Sequence, residues 1–259
     1  MPDYSTMLFE VRDNVASLTL NRPEAANSLN STVAAELMDA VIRCEEDPEI
    51  RALVISGSGR IFCAGADLKG FYTAAEGLKS RVSYFHATLS RLTRADMPVI
   101  AAVNGAAAGA GMGLACACDL VVAAESARFV MAYARIGLSP DGATTYFLPR
   151  RIGMGRALEL FYTNRALSAR EAMDWGIVNR VVPDGELATE AHALAAQLAA
   201  GPTRAFGAGK RLMHAGWSET LESQIEQELR SIATMARTED AREAISAFAA
   251  KRTPQFKGR

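Results

Sequence analysis

The chain has 259 residues, 49% of them hydrophobic, enough for one large domain with a sizeable core. Its 28 Lys and Arg nearly balance 29 Asp and Glu, and a net charge of −1 argues against a nucleic-acid or membrane-surface partner. No uncharged apolar run of about 18 residues is present, so no membrane span is expected. The opening MPDYSTMLFEVRD has no basic or long apolar stretch, so no secretory leader is expected, and the cytoplasm is the expected location.

In chain order, residues 8–20 (LFEVRDNVASLTL) alternate about Asp13-Asn14 and read as a hairpin. NRPEAANSLN (21–30) is a turn-rich loop before an amphipathic helix over 31–46, and ALVISGSG (52–59) is a buried strand running into a turn. FCAGADLKGF (62–71) is a small-residue loop leading to a helix over 75–94. The next strand, 99–103, feeds VNGAAAGAGMGLACACD, where a small-residue helix starts near Gly109. Strands follow over 120–123 and 127–132.

From about residue 140 the pattern is mostly helical. Ser168 and Glu171 have capping-box spacing, and Asp184 is placed as the cap of a helix reaching about residue 200. Pro202 stands at a helix start, with Ser218 and Thr238 as caps of the last two helices. Strands alternating with helices in the first two-thirds indicate an α/β fold, with a core over 1–200 and a strandless helical region over 201–259.

The four cysteines (Cys44, Cys63, Cys116, Cys118) lack the second pair or nearby histidine that a metal site needs, so they read as buried thiols and no metal is expected. The three histidines, His86, His192 and His214, are dispersed on helix-like segments, and none is assigned a catalytic role. Gly109, Gly111 and Gly113 do not complete a dinucleotide fingerprint, since that would need glycine at Leu114. Gly207-Ala208-Gly209-Lys210 lacks the upstream glycine of a P-loop. The glycines of the 103–119 stretch serve either close helix packing or an anion cradle of backbone N–H groups. Two such turns, each after a buried strand, are what a two-donor oxyanion hole requires.

The segments NRPEAANSLN, GRIFCAGADLKGF, VNGAAAGAG…CD, ARFVMAYARIGLSPDGATTYFLPRRIG, LSAREAMDWGIVNRVV and SAFAAKRTPQF, in colinear order, closely resemble the crotonase, or enoyl-CoA hydratase/isomerase, superfamily. The resemblance implies a crotonase (ClpP/crotonase-like) core of repeated ββα units in two nearly perpendicular sheets. It also implies a C-terminal helical region for oligomerisation and CoA contacts, and homotrimers or dimers of trimers acting on acyl-CoA thioesters. No cofactor is implied beyond the coenzyme A that the substrate carries. By the same resemblance, the N–H groups of Ala66 and Ala110 form an oxyanion hole. CoA contacts fall on Ala26, Ala64, Asp67, Leu68 and Lys251, while Asp67 and Lys69 read equally as solvated loop charges.

Hydratases of this family use two glutamates, whose positions here are Gly113 and Tyr133. Hydration needs a base for the water and an acid for the α-carbon; glycine supplies neither, and a tyrosine with a pKa of about 10 is a poor base. One carboxylate remains, Asp141 in Leu138-Ser139-Pro140-Asp141-Gly142, at a site where some isomerase branches place a catalytic acid. Pro-Asp-Gly before a helix also reads as turn or N-cap chemistry.

The isomerases of bacterial phenylacetate breakdown share the FVMAY-like, GL-x-PD and KR-x-PQF segments. They imply ring-epoxide rearrangement and shifting of 3-enoyl-CoA double bonds. Met112, Gly113, Tyr133 and Phe147 are placed at the pocket about Asp141, and Met112, Tyr133 and Phe147 read equally as ordinary core. The alternatives are a 2-enoyl-CoA hydratase, an acyl-CoA hydrolase or dehalogenase with Asp141 as nucleophile, and a non-catalytic CoA-binding subunit.

Overall fold

Asp13 and Asn14 both take positive φ, 51° and 62°, the two-residue turn that matches the twist of a hairpin. They join β1 (Met7–Arg12) to β2 (Val15–Leu20). Asn30 accepts a hydrogen bond from Val33 N and starts α1 (Ser31–Glu46), whose Val33, Leu37, Val41 and Cys44 face the core. The computed structural model describes residues 3–69 and 78–259. Gly70 and Phe71 of the second small-residue loop, and the first residues of the helix expected over 75–94, lie outside the described residues.

Three ββα repeats follow. The first comprises β3 (Ala52–Gly57), β4 (Ile61–Cys63) and α2 (Leu78–Leu92). The second comprises β5 (Val99–Val103), β6 (Ala106–Ala108) and α3 (Ala110–Ala117). In the third, β7 (Leu120–Ala124) and β8 (Arg128–Val130) lead through a 3-10 turn, Tyr133–Ile136, to α4 (Thr144–Ile152) and α5 (Met154–Thr163). The chain continues with β9 (Leu167–Ser168), α6 (Ala169–Trp175), β10 (Arg180–Val182) and α7 (Leu187–Ala199). It then runs through α8 (Thr203–Ala215), α9 (Leu221–Met235) and α10 (Glu239–Ala249).

The first strand of each repeat joins a six-stranded sheet, β1-β2-β3-β5-β7-β10, and the second joins a four-stranded one, β4-β6-β8-β9. Beyond the β1–β2 hairpin the six-stranded sheet is parallel and buried on both faces, which explains its nearly continuous apolar strands. Leu53, Ile55, Ala101 and Val121 face the main core. The alternate residues Val54, Ile100, Ala102 and Val122 meet the Leu187, Ala191, Ala195 and Ala199 stripe of α7.

The α/β architecture and the ββα repeat agree with the expected fold, and Ser168 and Glu171 form the expected capping box. Four details differ. Strands β9 and β10 interrupt the region expected to be helical; at two and three residues they are too short to show alternation. Asp184 does not cap α7: it lies in a 3-10 turn and accepts from Ser126 N at 3.0 Å, tying that turn to the β7–β8 connection. Thr220, not Ser218, caps α9, because the Ser218 hydroxyl is turned back to the end of α8 at Ala215 O. The expected 127–132 strand shortens to Arg128–Val130 because Ala132 turns into left-handed backbone.

Helix α8 and the segment after α10 are tied to the core by two cations shielded from solvent. The Arg51 guanidinium donates to Thr203 Oγ1, Gly201 O and Phe256 O. Lys210 Nζ pairs with Asp119 at 2.8 Å, so the Gly207–Lys210 segment ends in a structural ion pair. Among the described residues no helix is long and apolar enough to cross a membrane, and no cluster of potential metal ligands is found. All four cysteines are free and buried.

Candidate active site

The loop after β4 is clamped from the NRPEAANSLN segment. Ala64 N donates to Ala26 O at 3.0 Å, Leu29 N to Gly65 O at 2.8 Å, and Asp67 N to Leu29 O at 2.9 Å. This parallel bridge uses the N–H and C=O of Leu29 and leaves the Ala66 N–H outside it. Gly65 has φ of 92°, and a Cβ there would lie 2.8 Å from Ala108 O and 3.3 Å from Ala110 N. Only glycine lets this loop reach the start of α3. Ala110 is the first residue of α3, where an amide has no partner inside the helix. Two uncommitted backbone donors therefore stand side by side at one cleft.

The cleft has two lobes. One, about 210 Å³, passes Asn30, Ala34 and Phe85; the other, about 430 Å³, passes Leu68, His86, Tyr133 and Leu138. Ala66, Ala110 and Asp141 line both.

Asp141 sits on the turn between the Tyr133–Ile136 3-10 turn and α4. Its carboxylate is not the cap of α4: the cap position is Ala143, in left-handed backbone with no side-chain cap, and only the Asp141 carbonyl serves Thr144 N. The carboxylate instead accepts from Tyr133 Oη at 2.9 Å through Oδ1, while Oδ2 faces His86 Nε2 at 3.6 Å. Tyr133 is buried, and its hydroxyl also meets Asp141 O at 3.1 Å and Thr144 Oγ1 at 3.3 Å. Burial, and then the negative charge of Asp141, push the phenol well above its ordinary pKa. Tyr133 is thus a hydrogen-bond donor, not a base.

Gly113 lies under this turn. A Cβ there would overlap Gly142 O and come 2.8 Å from Thr144 Oγ1. The space that a longer side chain would need is filled by the segment carrying Asp141.

Other expected residues fall as follows. Asp67 lines the smaller lobe but is not a free loop charge: it pairs with Arg22 at 3.0 Å and also receives Lys69 N–H. Burial acts to raise its carboxyl, but the hydrogen bonds from Arg22 and Lys69 outweigh it and hold the group below its ordinary value. Ala64 and Leu68 line the larger lobe. Ala26 meets the site through its carbonyl, and Lys251 is exposed just beyond α10, lining neither lobe.

Three expected pocket residues line neither lobe: Gly113 is packed beneath the Asp141 turn, and the other two are elsewhere. Met112 is fully buried in the core, since α3 is enclosed on every side. Phe147 points to the opposite face of α4, where it packs edge-on against His214 in a separate cleft. Conversely, His86 lines the larger lobe and Arg22 anchors Asp67 beside the smaller one, and neither was expected there. His86 is a lone histidine on an amphipathic helix, a pattern with no local sign of its carboxylate partner.

The family model described as enoyl-CoA hydratase/isomerase matches residues 10–259. The chain belongs to the enoyl-CoA hydratase/isomerase family. It is 43% identical to the 1,2-epoxyphenylacetyl-CoA isomerase of Escherichia coli over 98% of both chains. It is 42% identical to a probable enoyl-CoA hydratase of Rhodobacter capsulatus over 99% of both. The crystal structure of a putative enoyl-CoA hydratase from Streptomyces coelicolor superposes with a TM-score of 0.95 at 34% identity, covering 100% of this chain and 96% of that one. The fold is therefore the crotonase fold, and the protein is an enzyme of the hydratase/isomerase family. Hydratase and isomerase names occur at nearly equal identity, so the choice between them rests on the side chains in the cleft.

Proposed function

We propose that this member of the enoyl-CoA hydratase/isomerase family is an acyl-CoA isomerase. It shifts a double bond, or rearranges a ring-epoxide acyl-CoA, through a thioester enolate. One observation carries the reading: Asp141 stands in the cleft with Ala66 and Ala110, while the two hydratase glutamate positions are a packed glycine and a hydrogen-bond-donating tyrosine.

In this reading the thioester oxygen accepts from the N–H groups of Ala66 and Ala110. Asp141 removes the α-proton of a 3-enoyl-CoA, the C–H electron pair enters the enolate, and Asp141 returns a proton at the γ-carbon. Each backbone donor is worth about 3 kcal/mol in the transition state. The reaction is a proton transfer and calls for no metal or redox cofactor. The CoA portion lies along Ala26, Ala64, Asp67 and Leu68, with Lys251 near its phosphates. Copies of the chain assemble as trimers, or pairs of trimers, through the C-terminal helices. The exposed Leu221, Ile225, Leu229 and Ile232 of α9 support that assembly.

The test is turnover of 3-hexenoyl-CoA, crotonyl-CoA and a ring-epoxide acyl-CoA by the wild type and by Asp141→Asn. Isomerisation should exceed hydration, and Asp141→Asn should lose roughly 10²- to 10⁴-fold in kcat. Full turnover by Asp141→Asn overturns the role of Asp141, and crotonyl-CoA hydration as fast as isomerisation favours a hydratase.

A further inference from the structure

The two oxygens of Asp141 have unlike surroundings. Oδ1 is closed off by buried Tyr133, whose hydroxyl is held from three directions. Oδ2 faces His86, whose side chain is 44% exposed while its Nε2 reaches into the cleft. Gly142 N donates to His86 Nε2 at 3.3 Å, which makes that nitrogen an acceptor and puts the ring proton of the neutral imidazole on Nδ1. At rest Nε2 therefore carries no proton, and its one lone pair is held by Gly142 N–H beside Asp141 Oδ2. The Asp141 side chain is itself 35% exposed in the cleft; an acyl chain bound in the two lobes covers that opening and leaves the half-exposed imidazole ring as the route from Oδ2 to bulk water.

We infer that His86 is a proton relay between Asp141 and solvent, so that the proton returned to the γ-carbon is not the one taken from the α-carbon. The inference rests on the reading of Asp141 as acid/base. Once Asp141 has taken the α-proton and the electron pair has moved into the enolate, Oδ2–H gives its proton to Nε2. The imidazolium then releases its Nδ1 proton to water. The reverse sequence brings a solvent proton to Asp141, which delivers it to the γ-carbon. The substrate exchanges one proton for one of the solvent's, with no oxidant or other reactant. The Oδ2–Nε2 gap of 3.6 Å is longer than a hydrogen bond, so in the transfer step the ring moves inward and Nε2 exchanges the Gly142 N–H for Oδ2–H. His86 acts through Asp141 and is a positioning residue in this reaction.

The experiment converts 3-hexenoyl-CoA in deuterium oxide and reads the label at the γ-carbon of the 2-enoyl product by mass spectrometry, at conversions low enough to avoid reverse reaction. Wild-type product should carry close to one deuterium, and His86→Gln should transfer the original hydrogen, its label falling about tenfold or more relative to wild type. His86→Asn provides a second variant, with thermal unfolding of both to show that they are folded. A merely structural role for His86 changes rate but not isotope content.

Equal label in the wild type and in both variants overturns the relay, as does wild-type product without label. If Asp141→Asn is inactive while the His86 variants keep full label, the relay alone fails. If Asp141→Asn turns over fully, the reading of Asp141 fails and the relay with it; a wild type that does not turn over 3-hexenoyl-CoA overturns the relay, which needs a γ-carbon to receive the proton.

Discussion

Gly113 and Gly142 are in direct contact: the carbonyl of Gly142 occupies the position that a Cβ on Gly113 would take. The missing glutamate and the present aspartate are thus two sides of one packing arrangement. A side chain at 113 would displace the turn, and that turn holds Asp141 between Tyr133 and His86.

It follows that Gly113→Ala should destabilise the protein, although alanine is the better helix former by about 1 kcal/mol. Overpacking costs about 1–3 kcal/mol and should outweigh that gain because Thr144 and the neighbouring backbone are fully packed. Urea unfolding measures the difference. A variant more stable than the wild type would show that the turn yields easily. Gly113→Glu should likewise be destabilised and gain no crotonyl-CoA hydration.

Tyr133→Phe removes the donor to Asp141 Oδ1 and leaves that side of the carboxylate apolar. The carboxylate becomes a stronger base without that donor but loses its fixed orientation, and misplacement should dominate, with a loss of roughly ten- to a hundredfold in kcat. KM for the acyl-CoA should change little, because Tyr133 touches the acid/base and not the backbone donors. A rise in KM with unchanged kcat would place Tyr133 in substrate binding instead.

Asp67→Asn tests the clamp with Arg22. The folded carboxyl lies below its ordinary value, so its contribution is complete above about pH 3.9 and fades as pH falls through the lower folded value. At pH 7 the variant should be less stable by about 1–2 kcal/mol, since the pair is only partly screened. The difference should narrow in acid. Denaturant midpoints of both proteins at pH 7 and near pH 3 decide it; a constant difference would mean that Asp67 acts by packing alone.

The α9 stripe calls for a measurement of mass. Light scattering should give a multiple of three times the 27.7 kDa chain. Ile225→Glu combined with Leu229→Glu, both at exposed positions, should shift it to the single chain. A wild type that elutes as a monomer removes the assembly from the proposal.

Much of the fold was legible because its physics is local. Strands buried on both faces appear as apolar runs, Ser168 and Glu171 announce α6 by their capping-box spacing, and Asp13-Asn14 tolerate the backbone that a tight hairpin demands. The two small-residue turns were visible as possible donors for the same reason: a backbone that must approach closely excludes large side chains. Asp141 stood out once Gly113 and Tyr133 lacked carboxylates.

What the sequence could not decide was which faces meet. Met112 lies on a helix buried all round, so no amphipathic pattern shows its direction, and Phe147 lies on a helix that turns it to a cleft shared with α8, not to the one holding Asp141. His86 is 55 residues from Asp141 in the chain; only the packing of α2 against the Asp141 turn brings imidazole and carboxylate to 3.6 Å. The sequence by itself determined the small-residue turns and marked Asp141 as the candidate acid. The tertiary structure decided the acid's partners, because distances between side chains on separate elements are set by how those elements pack and not by the order of residues within either.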